Sequence, residues 1–345
     1  MTASLAVRSF HLPLDPPLET AAGTISERHG IAIRWRSSHT EGIGEATPLP
    51  GWTESIDSCR TYLTQIARSG SIPELGDIPP HQPATRHGIH LAQEDALAKE
   101  HGEPLAHYLA TGSVQDRVPL AALIDASDSD NAARIAVERV ESGHETLKCK
   151  VGASTIEQDI ARLATIREAV GPDVTIRLDA NRAWTPSQAH SALDAMHRLD
   201  IALIEEPVKN PTPESLAALR SHGIGIALDE SVSREVPDAW WKAADAIVVK
   251  PMAIGGIDHA YRLAEKARKR NVEVIVSNTV DAVIARSAAV HLAAALHWSL
   301  PAGLDTASRL VTDLASDPIQ RRHGALVIPD DPGIGTRGPW EEGEL

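Results

Sequence analysis

Lys150, Asp179, Glu205, Asp229 and Lys250 each close a short apolar run: LKCK, TIRLD, IALIE, GIALD and AIVVK. The steps between them are 29, 26, 24 and 21 residues, each the length of one strand–helix unit. Adjacent parallel strands would then deliver three carboxylates side by side, with lysines on both flanks. One charged residue after a strand is ordinary, and Asp179 alone would serve to cap the helix starting near Thr185. Five in register are not. Three converging carboxylates repel one another at a cost of several kcal/mol unless a cation sits among them. Carboxylates that leave water positions open suit a hard divalent ion, Mg²⁺ or alternatively Mn²⁺. A lysine of ordinary pKa, about 10.4, is a poor base at neutral pH. A second ammonium on the same face lowers that value, and Lys148 and Lys150, two apart on a strand, share a face. Cys149 between them then points outward into the core. The chemistry predicted is proton removal by a lysine base beside a metal ion that takes up negative charge.

The elements that must hold these residues are legible from residue 118 onward. VPLAALID, LKCKVG, TIRLDAN, IALIEEP, GIALDE, AIVVKP and VEVIVSN alternate with amphipathic helical patterns, with AGLDT as a weaker eighth. Seven or eight such units in about 190 residues predict an α/β fold, a (β/α) barrel of TIM type. No strand is followed by a Gly-x-Gly-x-x-Gly turn, which argues against an open dinucleotide-binding sheet. Residues 1–115 read as an α+β domain, with antiparallel strands in SLAVRSFHLPL, ISERHGIAIRWRSS and GIGEATPLP and two helices after them. The barrel is expected over 116–306. The acidic, Pro/Gly-rich stretch 307–345 is expected to pack back on the first domain.

Composition narrows the partners. The formal charge is −14, which disfavours nucleic acid and anionic membranes. No apolar run is long enough for a membrane span and no secretory signal opens the chain, so a cytoplasmic protein is expected. Cys59 and Cys149 are the two cysteines, too few for a disulfide framework or a thiolate metal cage. A small-molecule carboxylate is the expected partner, and oligomeric state is not legible.

LKCKVG, RLDANRAW, IEEP, ALDES and VVKP, in this order, resemble the muconate-lactonizing subgroup of the enolase superfamily. RLDANRAWTP, GEATPLPGWTES and GLDT resemble the o-succinylbenzoate synthases within it. The resemblance spans about residues 5 to 306 and implies an enolase-like barrel with an N-terminal capping domain. It implies Asp179, Glu205 and Asp229 as metal ligands and Lys150 as the base that later acts as acid. Lys148 would tune Lys150, and Lys250 would be a cation over the opposite face. Asn181, Glu206 and Glu230 would orient ligands and Lys250, with Arg177 balancing charge inside the barrel. Ser277, Asn278 and Gly303 would hold the succinyl side of the substrate. Two loops, LETAAGTISERHG and PLPGWTES, would close over the site.

The implied reaction is Mg²⁺-dependent dehydration of 2-succinyl-6-hydroxy-2,4-cyclohexadiene-1-carboxylate to 2-succinylbenzoate, a step of menaquinone or phylloquinone biosynthesis. N-acylamino acid racemases, dipeptide epimerases and muconate cycloisomerases share the apparatus. The Asp-x-Asp pair of dipeptide epimerases is absent at Gly303-Leu304-Asp305. A non-catalytic binding protein would have lost a ligand or a lysine, and none is lost.

Overall fold

In a computed structural model, residues 3–20, 23–232 and 234–340 are described. An antiparallel sheet comes first: β1 (Ser4–Thr20), β2 (Gly23–Arg36) and β3 (Glu41–Ala46), followed by α1 (Ile56–Ser69), α2 (Pro83–His101) and α3 (Leu105–Leu109). After β4 (Arg117–Pro119) the chain alternates: β5 (Ala121–Ile124), α4 (Ser129–Glu141), β6 (Thr146–Lys150), α5 (Ile156–Val170), β7 (Thr175–Asp179) and α6 (Pro186–Met196). It continues through β8 (Ile201–Glu205), α7 (Pro213–Leu219), β9 (Gly225–Leu228), α8 (Asp238–Ala243), β10 (Ala246–Val249), α9 (Pro251–Ile254) and α10 (Ile257–Arg268). Last come β11 (Glu273–Ser277), α11 (Val283–Ala295), β12 (Leu300–Gly303), β13 (Gln320–Arg322) and β14 (Ala325–Val327).

Strands β5 to β12 form one eight-stranded parallel sheet in sequence order, and a bridge from Leu120 to Ala302 joins its two edges. This is a nearly closed (β/α) barrel beneath an antiparallel capping domain. Local chemistry sets the helix starts. Thr155, Thr185 and Thr212 each accept from the backbone N–H three residues on, in reciprocal capping boxes. Thr185 therefore caps α6, and Asp179 is free for another role.

The run 118–125, read as one strand, divides. Val118 and Pro119 pair with β14, whereas Ala121 to Ile124 enter the barrel. Proline lacks an N–H and suits such an edge. The predicted capping segment around residues 18–30 is a hairpin rather than a loop, paired as far as Thr20 and Gly23. Ala21 and Ala22 lie outside the described residues, as do residues 341–345. The C-terminal stretch touches both parts of the molecule. Val311 donates to Pro13 O at 3.0 Å and Ile334 to Asp95 at 2.9 Å, while Arg286 of α11 binds Asp313 and Asp317.

Candidate active site

Strand alternation decides what enters the barrel. Leu203, Ala227, Val248 and Ile275 form an apolar plug in its interior. Side chains two residues further along share that face, which turns Glu205, Asp229, Lys250 and Ser277 inward above the plug. Lys150, Asp179 and Glu205 lie in one register row across β6, β7 and β8, with Lys148 beside Arg177 one layer below.

The charges interlock. Lys148 Nζ lies 2.5 Å from Glu205 Oε2 and 3.0 Å from Asp179 Oδ2. Lys150 Nζ donates to Asn181 Oδ1 at 2.6 Å and lies 3.6 Å from Asp179. Lys250 Nζ donates to Asp229 Oδ2 at 2.6 Å and sits 3.8 Å from the centre of the Trp52 ring. Burial works against the charge on Lys148, but Glu205, Asp179 and Asp229 outweigh it and hold the ammonium protonated. Burial likewise opposes ionisation of Asp179, yet Lys148 and Lys150 keep its carboxyl below the ordinary range. Glu205 is pushed up to about 7 by burial, restrained by Lys148, with Asp179 and Asp229 adding to the rise.

Supporting groups fix the loops. Glu206, fully buried, accepts from the N–H of Asp229 at 3.0 Å and of Ser231 at 2.7 Å, and pairs with Arg182. Asn181 Nδ2 donates to Glu230 Oε1 at 3.3 Å, so one amide joins Lys150 to Glu230. Burial, then Asp229 and Glu206, raise the Glu230 carboxyl. Arg177 spans the interior to Pro301 O at 2.9 Å; burial lowers it to about 10 while Glu205 works the other way. Ser277 and Asn278 are engaged locally: Ser277 Oγ donates to Gly303 O at 3.0 Å, and Asn278 Nδ2 donates to Thr306 Oγ1 at 2.9 Å.

Trp52, Arg182 and Ser231 are site residues that sequence reasoning did not single out. Trp52 carried a signal, an aromatic beside a turn glycine in a chain only 3% aromatic.

Among the described residues no three acidic, histidine or cysteine side chains draw together closely enough to enclose an ion. Lys148 lies between two of the carboxylates and Lys250 lies on the third. The donor set nevertheless fits a hard cation: three buried carboxylates on neighbouring strand ends, with Asp229 Oδ1 buried and without a hydrogen-bond partner.

A sequence profile of the family described as Enolase C-terminal domain-like matches residues 131–341. The chain belongs to the enolase superfamily. The L-Ala-D/L-Glu epimerase of Bacillus subtilis (strain 168) is 29% identical, over 95% of this chain and 94% of its own. The o-succinylbenzoate synthase of Thermobifida fusca (strain YX) is 36% identical, over 62% of this chain and 68% of its own. The dipeptide epimerase of Enterococcus faecalis V583, solved in complex with Mg and the dipeptide L-Leu-L-Tyr, superposes with a TM-score of 0.85 at 28% identity. That match covers 97% of this chain and 99% of the epimerase. Enolase-superfamily membership therefore fits the barrel, its cap and the row of charged strand ends.

Proposed function

We propose that this enolase-superfamily enzyme is an o-succinylbenzoate synthase, dehydrating 2-succinyl-6-hydroxy-2,4-cyclohexadiene-1-carboxylate to 2-succinylbenzoate. The inequality of its two flanking lysines carries the reading. The Lys150 side chain is 45% exposed and its ammonium is held chiefly by one amide oxygen, whereas that of Lys250 is 12% exposed and wedged between Asp229 and Trp52. That difference supports Lys150 as the group that carries a proton and Lys250 as a lasting cation. A syn dehydration needs one base, whereas racemisation needs one on each face.

Asp179, Glu205 and Asp229 would hold Mg²⁺, or Mn²⁺. Bound there, the ion supplies Lewis-acid stabilisation of negative charge on the substrate carboxylate. Lys150 takes the proton from the carbon α to that carboxylate. The neighbouring C–O bond breaks, Lys150 returns the proton to the departing hydroxide as water, and the ring becomes aromatic. Lys250 holds a fixed positive charge near the developing negative charge. Asn181 orients the Lys150 amine, and Trp52 shields the Lys250 side from water.

Epimerisation is the second reading, favoured by likeness to the L-Ala-D/L-Glu epimerase along nearly the whole chain. The eighth strand weighs against a dipeptide substrate. Gly303 has no side chain, so the pair of carboxylates that would hold a dipeptide's ammonium is incomplete there. The deciding assay supplies the Mg²⁺-loaded enzyme with the cyclohexadiene substrate and, separately, with N-succinylamino acids and L-Ala-L-Glu in deuterated water. Dehydration should outrun every α-deuteration. Rapid deuterium incorporation into both enantiomers, with negligible dehydration, would overturn the assignment.

A further inference from the structure

We infer that Arg86, on α2 of the capping domain, is a positioning residue for Lys250. The inference rests on the reading of Lys250 as a working cation. Lys250 is the N-terminal flank of the one-turn helix α9, whose other end is Gly255-Gly256. Arg86 grips that end from the opposite domain. Its Nη1 donates to the Gly255 carbonyl, and Nη1 and Nη2 each donate to Asp258 at 2.9 Å. The Arg86 side chain is only 8% exposed, so this two-pronged bond is shielded from water.

Backbone shape at the grip agrees with this role. Gly256 has φ +148°, and a Cβ there would lie 2.5 Å from Asp258 Oδ1 and 2.6 Å from Arg86 Nη1. The glycine lets the clamp close directly on the main chain. The same domain also reaches Lys250 from the front. Trp52 covers its ammonium, and two residues on, Glu54 accepts from the N–H groups of Ala84 (3.0 Å) and Thr85 (2.7 Å) at the start of α2. Trp52, Glu54, α2, Arg86, α9 and Lys250 thus close a ring of contacts. An indole of the cap lies against the Lys250 ammonium, and a guanidinium of the cap grips the far end of the helix that Lys250 begins. Cutting the rear hold lets α9 shift and carries the Lys250 stem off the Trp52 ring.

The test reads position rather than turnover. The eight lysines are labelled at ¹³Cε, and Lys250 is identified by the signal lost in Lys250→Met. The Trp52 ring should displace that signal upfield, and Trp52→Leu should remove the displacement. Arg86→Gln should move the signal back toward the exposed lysines, and Asp258→Asn should do so in part. The kcat of Arg86→Gln should fall by roughly tenfold to a hundredfold, the scale of a misplaced catalytic group, with KM changing less. A folded Arg86→Gln with the Lys250 signal unmoved overturns the inference; where that variant does not fold, Asp258→Asn decides by the same reading. The signal reports where Lys250 sits whichever reaction the enzyme runs, so failure of the dehydration assay leaves this result standing.

Discussion

Lys148 is the residue whose behaviour depends most on its surroundings. Its ammonium lies against two buried carboxylates, Glu205 at 2.5 Å and Asp179 at 3.0 Å, and balances charge that a divalent ion would otherwise balance. Removing it leaves both carboxylates buried with little compensation. Lys148→Met should therefore cost the metal-free protein on the order of 3 kcal/mol, and added Mg²⁺ should stabilise the variant more than the parent. Urea unfolding with chelator and with Mg²⁺ measures both. Equal stability and equal gain from Mg²⁺ would show that lysine and metal do not share the carboxylates. The row order of the charged strand ends was legible, because period-two alternation and unit spacing carry it. The lean of each lysine was not. Sequence places Lys148 beside Lys150, which predicts mutual repulsion, but burial gives Lys148 two opposite charges in the row above.

At the scale of elements, the cap depends on a strand and a helix approaching without side chains between them. A Cβ on Gly44 of β3 would run into the Gly88 carbonyl of α2, and one on Gly42 into the Ala92 carbonyl. Backbone on both sides leaves nothing soft to yield. Gly44→Ala should cost about 3 kcal/mol through overpacking, seen as a lowered Tm by calorimetry. A Tm within a degree of the parent would mean that the strand and helix part at little cost. The barrel units were readable because each pairs an apolar run with a helical period. The division at Leu120 and the long first hairpin were not. The division depends on β14, far along the chain, and the length of the hairpin on a register shift between Pro13 and Leu18 that lets β1 and β2 stay paired up to Thr20 and Gly23.

At the scale of the whole molecule, cap and barrel meet around α11, all thirteen of whose residues are buried. Its N-terminus has no side-chain cap of its own. Glu45, from β3 of the cap, accepts instead from the N–H of Ala282 at 2.8 Å and of Ala285 at 2.9 Å. No local sequence rule joins residues 237 apart, so this join was illegible. Glu45 is completely buried, and burial, followed by the nearby Asp281, raises its carboxyl to about 7. Asp281 is itself raised by burial, against the pull of Thr279 and Arg28. A folded-state pKa above the unfolded value means that the native protein holds a proton the unfolded chain has released. That stabilisation is complete below the unfolded carboxyl pKa and is lost as pH rises through about 7. Stability should fall by up to about 3 kcal/mol through Glu45 as pH rises from the ordinary carboxyl value of 4.5 to above 7, most of it before neutrality is passed. Glu45→Gln keeps an oxygen to accept from the helix but cannot ionise, so its stability should stay nearly level over the same range. Denaturant titrations of both proteins at half-unit steps in pH give the comparison, and parallel curves would mean that Glu45 keeps one protonation state at this junction throughout.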